Sequence, residues 1–454
     1  MPQQVGATAA PRPGLKARAL TGGGWVAAEY GLGQVLRFGG NLVLAYLLVP
    51  EAFGLMALVN VFLQGLQMFS DIGIAPSIIR SPRGEDPRFL NTAWTLQIIR
   101  GFALWFAACA LAWPASWVWG YELRHLLPIA AITAVTMGLG STSLYVLNRQ
   151  LQMQALAKLR LGSQVVGVVV MVAWAAVHPT VWAMVGGAIA GQLFRCVGSY
   201  ALPSPTHHRL AFDRSAFDEL FRFGRWIFVG TLLAFLAKQI DKLMLGALFP
   251  PAVLGVFWIA TQISEIVPLL ATRLGQSIGF PALAELHRRD PARFFKRLRH
   301  VRFTLILPGV VGQLLLLIVG PSAAVWLYPQ AFGDVGWMLR LMVAATFAKL
   351  VTQTYMHAFL AVGDSFRHML FVATRLGLTV AAAVAGFVVA DRMDVTGPVG
   401  FIAGLALAPW LHYPVVACLA AGRRCWQPLL DLPVLAVCAA AAVLMLLRDF
   451  AVFG

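Results

Sequence analysis

The stretch LAYLLVPEAFGLMALVNVFLQGLQMFSDIGIAPSIIR, Leu44 to Arg80, decides the fold. An apolar run ends at Val49, the chain turns at Pro50, and a second apolar run continues to Ile78. A helix that crosses a bilayer needs about 20 mainly apolar residues. The stretch therefore reads as the end of one membrane helix, a short turn, and a second helix going back.

The same texture extends outward through the chain. Of 454 residues, 59% are hydrophobic and 12% charged, and the mean hydropathy is +0.76. A soluble domain is roughly half apolar and about a quarter charged, and a soluble core this apolar would lack the polar surface to stay in solution. The expected fold is an all-α polytopic membrane protein of about 12–14 transmembrane helices. Candidate spans are 21–48, 54–78, 92–113, 126–147, 157–177, 180–201, 224–249, 254–280, 302–320, 336–359, 368–390, 396–420 and 428–447. Met1–Leu20, with Arg12, Lys16 and Arg18, leads straight into the first of these and reads as the start of an uncleaved helix.

The long polar stretch Pro203–Arg222 divides the chain. The expected organisation is an N-terminal six-helix lobe (1–202), a cytoplasmic linker (203–222), a C-terminal six-helix lobe (223–422) and an additional C-terminal transmembrane helix (423–454). Phe217, Leu220 and Phe221 among charges suggest an amphipathic helix in the linker, and Glu285–Arg302 reads as a second basic surface segment.

Lys and Arg number 35 against 19 Asp and Glu, a net charge of +16. The basic loops lack interleaved aromatics and no nucleic-acid module is present, so nucleic acid is excluded as a main partner. Instead the charge falls in alternate connections: Arg80, Arg83 and Arg88; Arg149, Lys158 and Arg160; Arg209, Arg214, Arg222 and Arg225; Arg288 to Arg302; Arg423 and Arg424. The other connections hold only Arg124 and Arg392. The basic loops and the N-terminus are thus expected in the cytoplasm. The opposite loops are short, which weighs against a polysaccharide polymerase or glycosyltransferase. Cys109, Cys196, Cys418, Cys425 and Cys438 read as small hydrophobes, and His207–His208 has no neighbouring metal ligands in sequence.

An internal repeat is visible. A shift of 201 residues carries Leu44 onto Leu245, Pro50 onto Pro251, Phe53 onto Leu254 and Gly54 onto Gly255. The same shift carries Arg37 onto Lys238 and Gln64 onto Glu265. Many transporters are built from such repeats, with substrate held near the midplane. A central Lys or Arg costs about 2.5–3.5 kcal/mol on insertion scales, so such residues usually face a wet cavity or a partner.

Four features carry a family resemblance: LLxPExFG at Leu47–Gly54, SDxGI at Ser70–Ile74, FPALAEL at Phe280–Leu286, and the six-plus-six topology. With them the chain resembles the bacterial oligosaccharide flippases, polysaccharide transporters of the multidrug/oligosaccharidyl-lipid/polysaccharide exporter superfamily. The resemblance implies a V-shaped pair of six-helix bundles in the bacterial inner membrane that rock between inward-open and outward-open states. It implies a polyprenyl-pyrophosphate-linked glycan as cargo, for surface polysaccharide assembly alongside other assembly proteins. Thirteen spans depart from the twelve or fourteen usual there.

A pyrophosphate stripped of water needs cations or N–H donors. Tyr30, Gln34, Arg37 and Asn41 share one face of the first helix. Lys238, Asp241 and Lys242 follow on the seventh span, Glu265 and Arg273 on the eighth, Lys349 with Gln353 and His357 on the tenth, and Arg100 with Gln97 on the third. Arg37 and Lys238 lead as headgroup ligands, joined by Gln34, Asn41, Lys242, Arg273, Arg100 and Lys349. Against this stand simpler readings: Arg100, Arg273 and Arg375 can snorkel, Asp241–Lys242 can be a structural ion pair, and His357 a packing residue. Glu29, Asp71, Asp241 and Glu265 are candidates for carrying H+ or Na+, or equally for neutralising a nearby cation. Gly22–Gly24, Gly31, Gly33, Gly39, Gly40, Gly186, Gly187 and Gly191 read as close helix contacts. No catalytic residue, metal or cofactor is expected. The reading is a flippase rather than an enzyme, with a cation or drug antiporter of the same superfamily as the alternative.

Overall fold

A computed structural model of the chain describes residues 15–70, 74–203, 208–214, 228–274, 291–361, 364–394, 396–422 and 425–453. Their regular elements are all helical. That is what a bilayer requires, since a helix satisfies its backbone N–H and C=O groups internally. In chain order the α-helices are α1 (Leu15–Leu47), α2 (Pro50–Phe69), α3 (Ile74–Arg80), α4 (Pro87–Trp119), α5 (Leu123–Ala130), α6 (Ile132–Leu139), α7 (Ser143–Arg149), α8 (Met153–Val177) and α9 (Val181–Tyr200). They continue with α10 (Phe228–Leu248), α11 (Pro251–Ser264), α12 (Ile266–Leu274), α13 (Pro291–Leu327), α14 (Val335–Ala361), α15 (Ser365–Arg392), α16 (Gly397–Ala421) and α17 (Pro428–Phe453).

The chain is a multi-pass membrane protein. Among the described residues nine helices are long and apolar enough to cross a bilayer, eleven when two bent pairs each count as one. The helices α1 and α10, 33 and 21 residues long, stand outside that count. They are long enough, and what sets them apart is the polar side chains they carry: Glu29, Gln34, Arg37 and Asn41 on one, Lys238, Asp241 and Lys242 on the other.

Two spans expected to be continuous are broken. The chain bends by 60° between α6 and α7 and by 48° between α11 and α12. At the second break Pro268 has no N–H to offer the carbonyl of Ser264, four residues back. The side-chain amide of Gln313, on α13, donates to that carbonyl instead, at 3.0 Å. At the first break Gly140 is extended, and Gln97 of α4 donates to the carbonyls of Met137 (3.0 Å), Gly138 (3.2 Å) and Gly140 (3.1 Å). A buried amide thus replaces lost backbone partners at each bend. The expected second span, 54–78, also stops early: α2 ends at Phe69 and α3 is a separate short helix.

The residues fall into two compact units. The first comprises Met1–Val43, Ser70–Ala112 and His125–Trp226; the second comprises Leu44–Phe69, Trp113–Arg124 and Ile227–Gly454. In the first unit α8 and α9 run antiparallel in close contact: Gly187 lies on the carbonyl of Gly167, and Gly191 on that of Ser163. Small residues four apart let two backbones approach this way. The glycines of α1 divide: Gly33 and Gly40 meet Gln164 and Val168 of α8, but Gly24, Gly31 and Gly39 have nothing close and are not helix contacts.

The described part of the linker precedes the residues expected to form an amphipathic helix. Residues 208–213 form no helix; they make an extended strap along the start of α4. The backbone N–H groups of Arg209, Ala211 and Asp213 donate to Asn91 (3.2 Å), Thr95 (3.1 Å) and Thr92 (3.1 Å). The His208 ring packs edge-on against Trp94 and Tyr200, and its Nε2 accepts the N–H of Thr142 at 3.1 Å. These side chains supply the partners a helix would have made internally. Phe217, Leu220 and Phe221 lie outside the described residues.

In the second unit α15 and α16 repeat the glycine device, with Gly386 on the carbonyl of Gly400 and Gly404 on that of Ala382. The last helix, α17, is held by a buried network. Arg302, 1% exposed, pairs with Asp431, 0% exposed, at 2.7 Å. Arg302 also donates to Thr354 (2.9 Å) and Gln427 (3.2 Å) and stacks on Tyr355, its guanidinium 3.7 Å from the ring centre. Tyr355 donates to the other Asp431 oxygen at 2.5 Å. Arg302 is therefore not part of the basic surface segment expected at Glu285–Arg302, because α14, Gln427 and α17 supply it with a carboxylate and three further contacts. Arg299, one turn earlier, is exposed.

Candidate functional site

Several charged side chains inside the membrane helices lie close to one another. In the second unit one such group surrounds the break between α11 and α12. Glu265 is the single residue between those two helices, and its carboxylate pairs with Lys349 of α14. On α10, Lys242 pairs with Asp241 at 3.4 Å, while Lys238 stays exposed. Arg375 of α15 donates to the carbonyl of Ala237 at 3.0 Å, right beside Lys238. Lys238 feels the charges of Lys242, Lys349, Glu265 and Arg375, and Arg375 those of Glu265 and Asp241. Four cations and two carboxylates thus act on one another, which leaves the group net positive. Buried Gln239 beside it bonds Gln64 of α2.

In the first unit the face predicted on α1 is present. Arg37 is exposed and donates to Gln34 from Nε (3.0 Å) and from its second terminal nitrogen (2.5 Å). Asn41, one turn on, is half-buried. Toward the other end of the helix, Glu29 pairs with Arg160 of α8 at 3.2 Å. Arg100 donates to the hydroxyl of Ser70 at 2.9 Å. Its neighbour Gln97 is committed to the α6–α7 break rather than to any ligand.

Of the residues expected from sequence, the structure therefore brings together Lys238, Asp241, Lys242, Glu265 and Lys349, and separately Gln34 with Arg37. Asp71, the side chains of Arg273 and His357, and the FPALAEL segment lie outside the described residues. Three further arginines, Arg160, Arg195 and Arg375, stand near these charged side chains. In the sequence Arg160 reads as a loop charge and Arg375 as a snorkelling residue, while Arg195 interrupts the apolar run of α9. The signal for Arg195 is in the sequence: a guanidinium six residues before the end of a predicted span.

Broken membrane helices with charged side chains at the breaks are a feature that many secondary transporters share. The chain belongs to the polysaccharide biosynthesis protein family, whose model matches residues 43–319. A curated relative, the teichuronic acid biosynthesis protein TuaB of Bacillus subtilis (strain 168), is 24% identical over 222 residues, 48% of this chain and 46% of that protein. The chain spans less than two-thirds of the length of the curated relatives it matches. Among solved structures, the lipid II flippase MurJ in an inward closed conformation superposes with a TM-score of 0.69, at 12% identity, over 93% of this chain and 92% of that one. An inward-facing multidrug resistance MATE family transporter of the MOP superfamily gives 0.61, at 15% identity, over 86% and 94%. At these identities the likeness is one of fold.

Proposed function

We propose that the protein is an alternating-access flippase that carries a polyprenyl-pyrophosphate-linked oligosaccharide from the cytoplasmic to the outer leaflet for surface polysaccharide assembly. It would reside in the bacterial inner membrane with its N-terminus in the cytoplasm and its two lobes, 1–202 and 223–422, rocking about the linker. It makes and breaks no bond, so it is a carrier and not an enzyme.

The observation that carries the reading is the net positive group around Glu265. A pyrophosphate that bridges lipid and sugar keeps one ionised oxygen on each phosphorus, and desolvated phosphates are held by charge-assisted donors. Lys238, Lys242, Lys349 and Arg375 supply these, with Arg37, Gln34, Asn41 and Arg100 as the donors of the N-terminal lobe. Family membership and a fold shared with a lipid II flippase point the same way. A multidrug resistance MATE family transporter has the same fold, but an organic cation needs an acidic, aromatic pocket, and the charge here has the opposite sign. Glu29, Asp241 and Glu265 are ion-paired with lysine or arginine; a coupling H+ or Na+ would have to compete with those partners.

The test is complementation of a flippase-deficient strain by Arg37→Ala and Lys238→Ala, singly and together, with membrane insertion checked. Loss of glycan export from inserted protein is expected. Normal export by the double variant would overturn the cationic site.

A further inference from the structure

We propose that Arg160 and Arg195 of the first unit form a second pyrophosphate-binding site, with Glu29 as the resident counter-ion that the headgroup displaces. The proposal rests on the flippase reading and extends it to residues on α8 and α9.

Glycine contacts fix the register of this antiparallel pair. Gly191 meets the carbonyl of Ser163, Phe194 packs on Gly162, and Gly198 meets Leu159. Residue 195 is therefore level with residue 160, and both arginines lie on one stratum of the bilayer. Arg160 is seven residues into α8 and Arg195 five residues before the end of α9, about 10 Å and about 8 Å from those ends. Glu29 reaches the same level from α1, 3.2 Å from Arg160. Arg195 lies within the electrostatic reach of both Arg160 and Glu29.

Arg160 is thus paired with Glu29, and a second guanidinium, Arg195, stands at the same level and feels both charges. Like charges held together inside a membrane are costly, and such residues are typically functional. A phosphate relieves the repulsion, because each planar guanidinium offers paired N–H donors that match its oxygens. The site is reachable: the Arg160 side chain is 41% exposed and that of Glu29 20%. Lys158, two residues before Arg160, adds a cation near the Trp25 ring at the same end, 5.9 Å from its centre. A simple structural ion pair would need only one arginine per carboxylate.

The same chemistry would suit an ordinary anionic lipid headgroup, so the test separates the two. Full-length protein in phosphatidylcholine nanodiscs is titrated with farnesyl pyrophosphate, then again in discs that contain phosphatidylglycerol. Wild type is expected to bind in both, and Arg195→Gln to weaken binding roughly tenfold or more, as loss of a charged hydrogen-bond donor implies. Arg195→Lys should fall between them. Glu29→Gln should bind more tightly than wild type, an effect that misfolding does not imitate. Unchanged affinity in Arg195→Gln, or binding abolished by phosphatidylglycerol, overturns the site. Lys238→Gln is measured alongside: if it weakens binding while Arg195→Gln does not, only this second site falls. If wild type binds no prenyl pyrophosphate in either lipid, the flippase reading falls with it.

Discussion

Gly54 and Gly255 pack against each other's helices reciprocally. A side chain on Gly54 would strike the carbonyl of Pro251, and one on Gly255 would strike the carbonyl of Pro50. These four are among the residues that the 201-residue shift superimposes, so the sequence repeat is realised as a contact between α2 and α11. Backbone cannot yield as a flexible side chain can. Gly54→Ala or Gly255→Ala is therefore expected to destabilise the contact by about 1–3 kcal/mol. Thermal unfolding of the detergent-solubilised protein reads this, and a variant that melts with wild type would refute it.

The buried pair Arg302–Asp431 makes an asymmetric prediction. Asp431→Asn leaves a guanidinium in the interior without its counter-charge and should cost about 3–5 kcal/mol, whereas removing both charges costs far less. Melting temperatures of Asp431→Asn and of the double variant Arg302→Met/Asp431→Leu check it. Equal losses in the two would show that the pair is not what holds α17.

Glu265 offsets Lys349, the cation nearest to it. Glu265→Gln should raise the net charge of the second unit's group and tighten binding of farnesyl pyrophosphate, while slowing export through slower release. Titration in nanodiscs alongside export in cells separates the two effects. Weaker binding would mean that the carboxylate organises the site instead of opposing the ligand.

His208 pins the strap to the α6–α7 break through Trp94, Tyr200 and the Thr142 N–H. Without that ring the three backbone hydrogen bonds along α4 lose their anchor. His208→Ala is expected to speed amide exchange at residues 209–213, measured by mass spectrometry, with little change in the core of α4. Unaltered exchange would assign the strap's order to the Asn91, Thr92 and Thr95 bonds alone.

The parts legible in sequence were those written in local pattern or exact repetition. Pro50 with Gly54 and Pro251 with Gly255 announced both the turn and the repeat, and the spacing of Tyr30, Gln34, Arg37 and Asn41 announced a polar face. The bends were half-legible: Pro268 marked a weak point, but that Gln313 would supply the missing donor depends on a helix 45 residues away. Arg302 looked like one more basic loop residue because its partner Asp431 lies 129 residues on. Lys349 and Glu265 each read as a lone intramembrane charge for the same reason. Arg195 stands in the sequence as a charge near a span's end, a position where arginine usually snorkels. What identifies it as a member of a group is the glycine-set register of α8 and α9.

The polar helix α10 also constrains how the protein is made. Each central charge raises the cost of partition from the translocon by about 2.5–3.5 kcal/mol, and α10 carries Lys238, Asp241 and Lys242 within five residues. Such a segment cannot be released into lipid as it emerges from the ribosome. Its apolar successor α11 begins three residues after it ends, so insertion of the two as one hairpin is expected. The charge pattern thereby sets the order in which synthesis commits the second half of the chain to the bilayer.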